Sequence, residues 1–293
     1  MSLRVTLLVD NERGVAGLRS QWGFSAWVET DHARILLDSG SNDAFWRNAR
    51  VLDVPLESAD AFVLSHGHFD HGGGIRKALE AAPMARVVLH PGGLAPHFWL
   101  CKTGKVEPIG LPDRSLTALR SVAERVTWAL GPVEVAPRVW VSGPIPRRHP
   151  LEEAERNFFL DRACTVRDHV VDDQALWAQT SHGLVVLVGC AHSGIINTLD
   201  YVRRVSADRD SAASRELPLA ADGLPLVYAV IGGMHLLHAS PARLRATGDA
   251  LVGAGVRVLA PVHCTGKRGK AHLRARVGDA YVAGATGAVL EIG

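Results

Sequence analysis

The chain has 293 residues, 47% hydrophobic and 21% charged, a balance that suits a globular enzyme built as one large domain or two small ones. A net charge of +2 creates no field for nucleic acid or anionic lipid, and no stretch reaches the ~18 apolar residues of a membrane span. The amino-terminal apolar run is too short for a secretory signal, and the four cysteines (101, 164, 190 and 264) make neither a C-x-x-C pair nor a disulfide framework, so the expected compartment is the cytoplasm.

Fourteen histidines are an excess that needs a reason. Arg4 to Val9 reads as a first strand, ending at Asp10-Asn11. Residues 23–30 and 33–40 read as the strands of a hairpin, the second ending in Leu37-Asp38-Ser39-Gly40, and Asp43 to Ala49 as a short helix. The apolar run Ala61-Phe62-Val63-Leu64 predicts a buried strand that enters Ser65-His66-Gly67-His68-Phe69-Asp70-His71-Gly72-Gly73-Gly74; Ile75 to Glu80 then has helix-forming composition. Four potential metal ligands thus occupy a strand-to-helix turn, where open α/β sheets place their sites. An extended run would send His66 and His71 to opposite faces. A folded loop instead aims His66 and His68 at one ion and Asp70 and His71 at a neighbour, with glycines permitting close approach.

Ala85 to His90 reads as another buried strand. Residues 91–160, studded with Pro and Gly, read as a long irregular segment, and connections of that length tend to be lids or binding loops. Gly183 to Gly189 is a continuous apolar strand reaching Cys190-Ala191-His192-Ser193-Gly194, with a helix from Ile195: strand, His at the tip, glycine, helix, as in the first loop. Residues 206–223 read as a surface loop, and 226–231 as a strand running into Gly232-Gly233-Met234-His235. Pro241 to Gly253 has Leu244, Thr247, Ala250 and Leu251 at helical spacing. The strand 256–262 ends at His263-Cys264-Thr265-Gly266, and Ala280 to Ile292 reads as closing strands.

The H-x-H-x-D-H run, with Leu37-Asp38-Ser39-Gly40 before it and the His tips after it, resembles the signature of the metallo-β-lactamase superfamily of metallohydrolases. The resemblance implies an α/β fold, a four-layer αβ/βα sandwich, here as a single domain over 1–293 with 91–160 as an inserted substrate-access segment. It implies His192 as the third ligand of one ion, beside His66 and His68. His263 becomes the last ligand of the other, beside Asp70 and His71. Asp38 resembles an outer residue that orients a ligating His.

Most members carry a metal-bridging Asp at a strand tip between the third and last His motifs; this chain has Gly232-Gly233-Met234-His235 there. His235 is the candidate for that place, a substrate-facing or outer role being the alternative, and an imidazole cannot bridge two ions as a carboxylate does. Asp10-Asn11, Ser65 to Gly74, Pro144-Ile145-Pro146-Arg147, Asp172 to Leu176, Gly189-Cys190-Ala191-His192, Gly232 to Leu236 and His263-Cys264-Thr265-Gly266 together resemble the dihydropterin-methyl ribofuranosylaminobenzene-phosphate synthase-like group. Its namesake reaction belongs to archaeal methanopterin biosynthesis, whereas relatives are mostly known only as metal-dependent hydrolases.

Imidazoles plus one carboxylate suit zinc, two ions being expected, and manganese or iron is compatible with the same ligand types. The expected chemistry is hydrolysis of a small ester, lactone or phosphoester by a metal-activated water, with Asp70 and His235 as catalytic residues. The alternative is a transferase joining a dihydropterin-methyl pyrophosphate to an aminobenzene ribofuranosyl phosphate. Either needs cations for a phosphorylated small molecule, and Arg147, Lys267 and Arg268 are the candidates. Cys190 and Cys264 flank ligating histidines; a thiolate ligand is chemically natural there, but both read as small buried strand-end residues. His90, His97, His149, His182 and His238 receive no role. Neither nucleic acid nor membrane is expected as a partner, and the oligomeric state is not legible.

Overall fold

Strands form where the apolar runs are. In the computed structural model, which describes residues 1–208 and 216–293, they assemble into two large sheets and one small one. The first sheet has the order β16 (Val289–Ile292), β1 (Leu3–Val9), β2 (Ser25–Thr30), β3 (Arg34–Leu37), β4 (Ala61–Val63), β5 (Arg86–Leu89), β8 (Val126–Trp128). It is antiparallel from β16 to β3 and parallel from β3 to β8. The second has the order β15 (Val258–Val262), β14 (Val227–Gly233), β13 (Gly183–Val188), β12 (Ala175–Thr180), β10 (Val139–Val141), β9 (Val133–Ala136), with β13, β14 and β15 parallel. The small sheet is β11 (Phe158–Phe159), β6 (Phe98–Leu100), β7 (Val106–Pro108).

The two large sheets face each other across one apolar layer, in which Val5, Leu7, Ile35, Leu37 and Val63 meet Val185, Leu187, Ile231 and Val262. Behind the first sheet, Trp27, Leu36 and Phe62 pack with helices α1 (Ala44–Val51), α3 (Ile75–Ala81) and α4 (Asp113–Arg120), while the single helical turn α2 (Phe69–Gly72) belongs to the metal loop. Behind the second, Trp177, Val186 and Val230 pack with α5 (Ile195–Ala207), α6 (Pro241–Gly253) and α7 (Gly266–Val277). Helices outside and sheets inside make the four-layer αβ/βα sandwich that the sequence implied. Burial on both faces explains why β13 reads as an unbroken apolar run.

Three readings need correction. Residues 91–160 are not irregular: β8 extends the first sheet, β9 and β10 extend the second, and β6, β7 and β11 form the small sheet. Strands of two to four residues between Pro and Gly breaks carry no periodicity to read. The helix α7 went unread because Gly266 to Val277 buries only Gly269 and Leu273, which leaves no apolar stripe. The closing segment supplies one strand, β16, preceded by isolated bridges from Arg13 to Thr286 and from Leu259 to Tyr281. Of the surface loop read over 206–223, residues 209–215 lie outside the described residues, and α5 runs on to Ala207. Among the described residues no helix is long and apolar enough to cross a membrane.

Candidate metal centre

The parallel strands of both sheets end at one seam. From the first sheet, β3 delivers Asp38, and β4 with α2 delivers His66, His68, Asp70 and His71; from the second, β13 delivers Cys190 and His192, β14 His235, and β15 His263. The turns are sharp, and Asp38, Ala191, His235 and His263 hold φ of 57°, 51°, 47° and 49°, a left-handed backbone that side-chain-bearing residues seldom adopt. Such strain persists where the surroundings over-determine it and gathers at functional sites.

Two triads of ligand atoms result, His66–His68–His192 and Asp70–His71–His263, each with its atoms within 4.8 Å of one another, and all six side chains are buried. These are the two sets that the sequence implied. His66 Nε2 lies 3.0 Å from His68 Nδ1, and His71 Nε2 lies 3.3 Å from His263 Nε2. Two nitrogens held 2.0–2.1 Å from one tetrahedral ion sit about 3.4 Å apart.

Hydrogen bonds behind the rings fix which nitrogens carry protons. His71 Nδ1–H donates to Asp38 Oδ2 at 2.7 Å, and His263 Nδ1–H donates to Asn11 Oδ1 at 3.0 Å. Ser65 donates its hydroxyl to Asp38 Oδ2 at 2.7 Å and in turn accepts His66 Nδ1–H at 3.0 Å. His71, His263 and His66 therefore all turn Nε2, the atom a cation would take, inward. Asp38, fully buried, orients a ligand of each triad, directly in one case and through Ser65 in the other. Gly189 makes this possible, since a Cβ there would come within 2.1 Å of Ser65 Oγ.

Burial, then the neighbouring imidazoles, pushes His66 and His192 well below the ordinary histidine value; burial, then His97, takes His68 to about 3. Burial opposes the charge on His71, but Asp70 and Asp38 beside it raise it to about 9. Burial likewise opposes ionisation of Asp70, yet His71, His263 and His68 hold the carboxyl well below its usual range. Both ring nitrogens of His192 are buried without a hydrogen-bond partner. Buried imidazole nitrogens without partners on His192 and His68, beside an ionised carboxylate, fit divalent cations.

The loops are pinned by groups whose roles the sequence did not disclose. Asp172 Oδ2 accepts from Gly67 N at 2.6 Å, Asp173 Oδ2 from Ser193 N at 2.7 Å, and Asp10 Oδ1 from His263 N at 2.6 Å. His97, given no role, donates Nδ1–H to Asp168 Oδ2 at 2.6 Å and stands edge-on to His68, ring centroids 5.3 Å apart. Phe158 from the small sheet stands edge-on over His68 and His192 at 5.5 and 5.7 Å. Short, aperiodic strands hid His97 and Phe158; the adjacent acids Asp172-Asp173 ahead of a buried strand were a usable signal.

Other candidates fall differently. The ring of His235 lies 4.3 Å from that of His192 and its Nε2 pairs with Glu155 Oε1 at 3.1 Å; it stands outside the two imidazole–carboxylate triads but clusters with Cys190 and Cys264, ligand atoms within 4.8 Å of one another. Although burial opposes it, Cys264 and Glu155 raise His235 to about 9. The Arg147 guanidinium is engaged by the carbonyls of His192 and His169, so in this structure it braces a ligand loop rather than facing a substrate. Lys267 and Arg268 are exposed on the first turn of α7, just beyond the His263 tip.

The sandwich and its seam of His and Asp define a metallohydrolase-type fold, and the family model described as Metallo-beta-lactamase superfamily matches residues 23–153. Over those residues the chain is similar to the metallo-β-lactamase superfamily. Over 99% of both chains it superposes, with a TM-score of 0.79 and 25% identity, on a solved metal-dependent hydrolase of the β-lactamase superfamily. A metallo-β-lactamase fold protein of Bacillus subtilis, 13% identical with a TM-score of 0.55 over 98% of this chain and 99% of that one, shares the fold. Among curated proteins of Methanocaldococcus jannaschii, the chain is 29% identical to an uncharacterised protein, covering 89% of this chain and 90% of the relative. It is 27% identical to 7,8-dihydropterin-6-methyl-4-(β-D-ribofuranosyl)-aminobenzene-5'-phosphate synthase of the same organism, covering 84% and 82%.

Proposed function

We propose that this protein is a metal-dependent hydrolase of small esters, lactones or phosphoesters with a dinuclear, zinc-type centre held by His66, His68 and His192 on one side and Asp70, His71 and His263 on the other. The observation that carries this reading is the pair of triads side by side, with Nε2 atoms turned inward by Asp38, Ser65 and Asn11. Two ions bound there supply Lewis acidity and acidify water for attack on a carbonyl or phosphoryl centre. Asp70, kept ionised by its histidine neighbours, would accept a hydrogen bond from the attacking water and orient it. His235, at the more open side of the seam and raised by Cys264 and Glu155, gives a proton to the leaving group. Phe158 and the small sheet narrow the approach, which favours a small molecule over a polymer or a membrane surface. Lys267 and Arg268 are the free cations nearest in sequence to the centre for a substrate phosphate.

The test is turnover of carboxylester, lactone and phosphodiester substrates by the full chain with added zinc or manganese. Turnover that His68→Ala abolishes together with metal content is the expected result; turnover unaffected by that substitution overturns the assignment. A second reading, transfer of a dihydropterin-methyl group from its pyrophosphate to an aminobenzene ribofuranosyl phosphate, is favoured by the 27% identity to a protein named for that synthesis. Pyrophosphate released only when both substrates are present would select it over hydrolysis.

A further inference from the structure

We propose that the thiolate of Cys190 takes the place of the missing bridging carboxylate and spans the two ions; this rests on the metal-centre reading above. Cys190 Sγ lies 3.2 Å from His71 Nε2, and it falls within 4.8 Å of ligand nitrogens of both His66 and His71, one from each triad. The sulfur therefore sits at the boundary between the two sets and not behind either of them. With Nδ1–H donated to Asp38, Nε2 is the His71 ring atom that faces the sulfur. A cation bound here would displace the protons held between the two atoms and take both as ligands. A thiolate sulfur has lone pairs enough for two metals, which an imidazole nitrogen does not.

The neighbouring cysteine is placed to support rather than to bind. Cys264 Sγ accepts the backbone N–H of His235 at 3.2 Å and approaches the Cys190 carbonyl at 3.5 Å. It also fills the space where a side chain at the tip of β14 would go: a Cβ on Gly233 would lie 2.7 Å from Cys264 Sγ. The strand that offers no carboxylate is therefore backed by one sulfur, and a second sulfur stands between the triads. A mixed sulfur, nitrogen and oxygen set of this kind favours borderline ions such as zinc, cobalt or iron(II) over magnesium or calcium.

The experiment loads the metal-free full chain with cobalt(II) and records its electronic spectrum and cobalt content, for the wild type and for Cys190→Ser and Cys264→Ser, each checked for folding by circular dichroism. The expected result is two cobalt ions per chain with a near-ultraviolet thiolate-to-cobalt charge-transfer band. Cys190→Ser should remove the band and weaken at least one ion by about 10-fold or more, while Cys264→Ser keeps the band. Two bound ions without the band overturn the thiolate bridge and leave the metal centre standing. A band lost in Cys264→Ser but kept in Cys190→Ser also overturns it. Failure to bind cobalt at all overturns both this inference and the reading on which it rests.

Discussion

Asp38 is the residue on which both triads depend, because one buried carboxylate sets the tautomers of His71 and, through Ser65, of His66. Replacing it with Asn keeps the volume but presents an amide N–H where an acceptor is needed. We expect Asp38→Asn to weaken both ions together, by about 10–100-fold, rather than one alone, as read by metal content after dialysis at graded free zinc. The pH dependence of the metal-free protein follows from the same rings. His68 has a folded value of about 3 against an ordinary 6.5, and His66 and His192 are displaced the same way, so between those limits the unfolded chain binds more protons. Stability conferred by these three is present above about 6.5 and is lost as pH falls towards 3. His71 acts with the opposite sign, favouring the fold below 6.5 and losing that contribution as pH rises through about 9. Urea midpoints of the metal-free protein should therefore decline from pH 7 to pH 5; a flat profile would show that the rings carry no proton linkage.

At the scale of elements, the histidine seam is made by strand ends, and Phe158 of the small sheet β11–β6–β7 stands over it. Glu155 sits just ahead of β11 and holds His235 at 3.1 Å. Because Glu155, after Cys264, is what raises His235, Glu155→Gln should move the alkaline limb of the pH–rate profile to lower pH, with metal content unchanged. A limb that stays in place would remove His235 as the proton donor. The ligand loops were legible in the sequence because each pairs a continuous apolar strand with a His tip and a glycine, a local pattern that needs no tertiary knowledge. Asp38 was legible only through the resemblance of Leu37-Asp38-Ser39-Gly40 to a superfamily motif. What covers the loops was not: Phe158 lies on a strand of two residues and His97 just ahead of one of three, too short for a period to show. The carbonyls that Arg147 braces and the acid that His235 pairs with were not legible, because a side chain's partner 22 to 80 positions away leaves no trace in its own neighbourhood.

For the molecule as a whole, the interior is one apolar layer shared by two sheets, and the ligands come from both of its walls. Leu187, fully buried at the centre of that layer, should cost about 2–5 kcal/mol when cut to Ala, measured by equilibrium unfolding with metal present. Chelation tests the other tie between the walls. An ion that binds only the folded chain stabilises it by mass action, so removing it should lower the melting temperature, and added zinc should restore it in proportion to the logarithm of its free concentration. A melting temperature indifferent to chelator would place the ligands outside the cooperative unit. The sandwich was foreseen through the resemblance that the His and Asp motifs carry; α7 was not, since its basic face gives no stripe and its place is set by packing on α6 and β15.

The left-handed backbone at Asp38, Ala191, His235 and His263 has a consequence for how this seam would come apart. Each of these bends is held against its own preference, so a chelated chain should relax there first while the strand centres keep their pairing. Amide hydrogen exchange would register this as faster deuterium uptake around residues 190–194 and 263–266, with β13 and β15 still protected. The loosened tips would then behave as a latch that the cation closes, which makes loading and ordering of the pocket a single event.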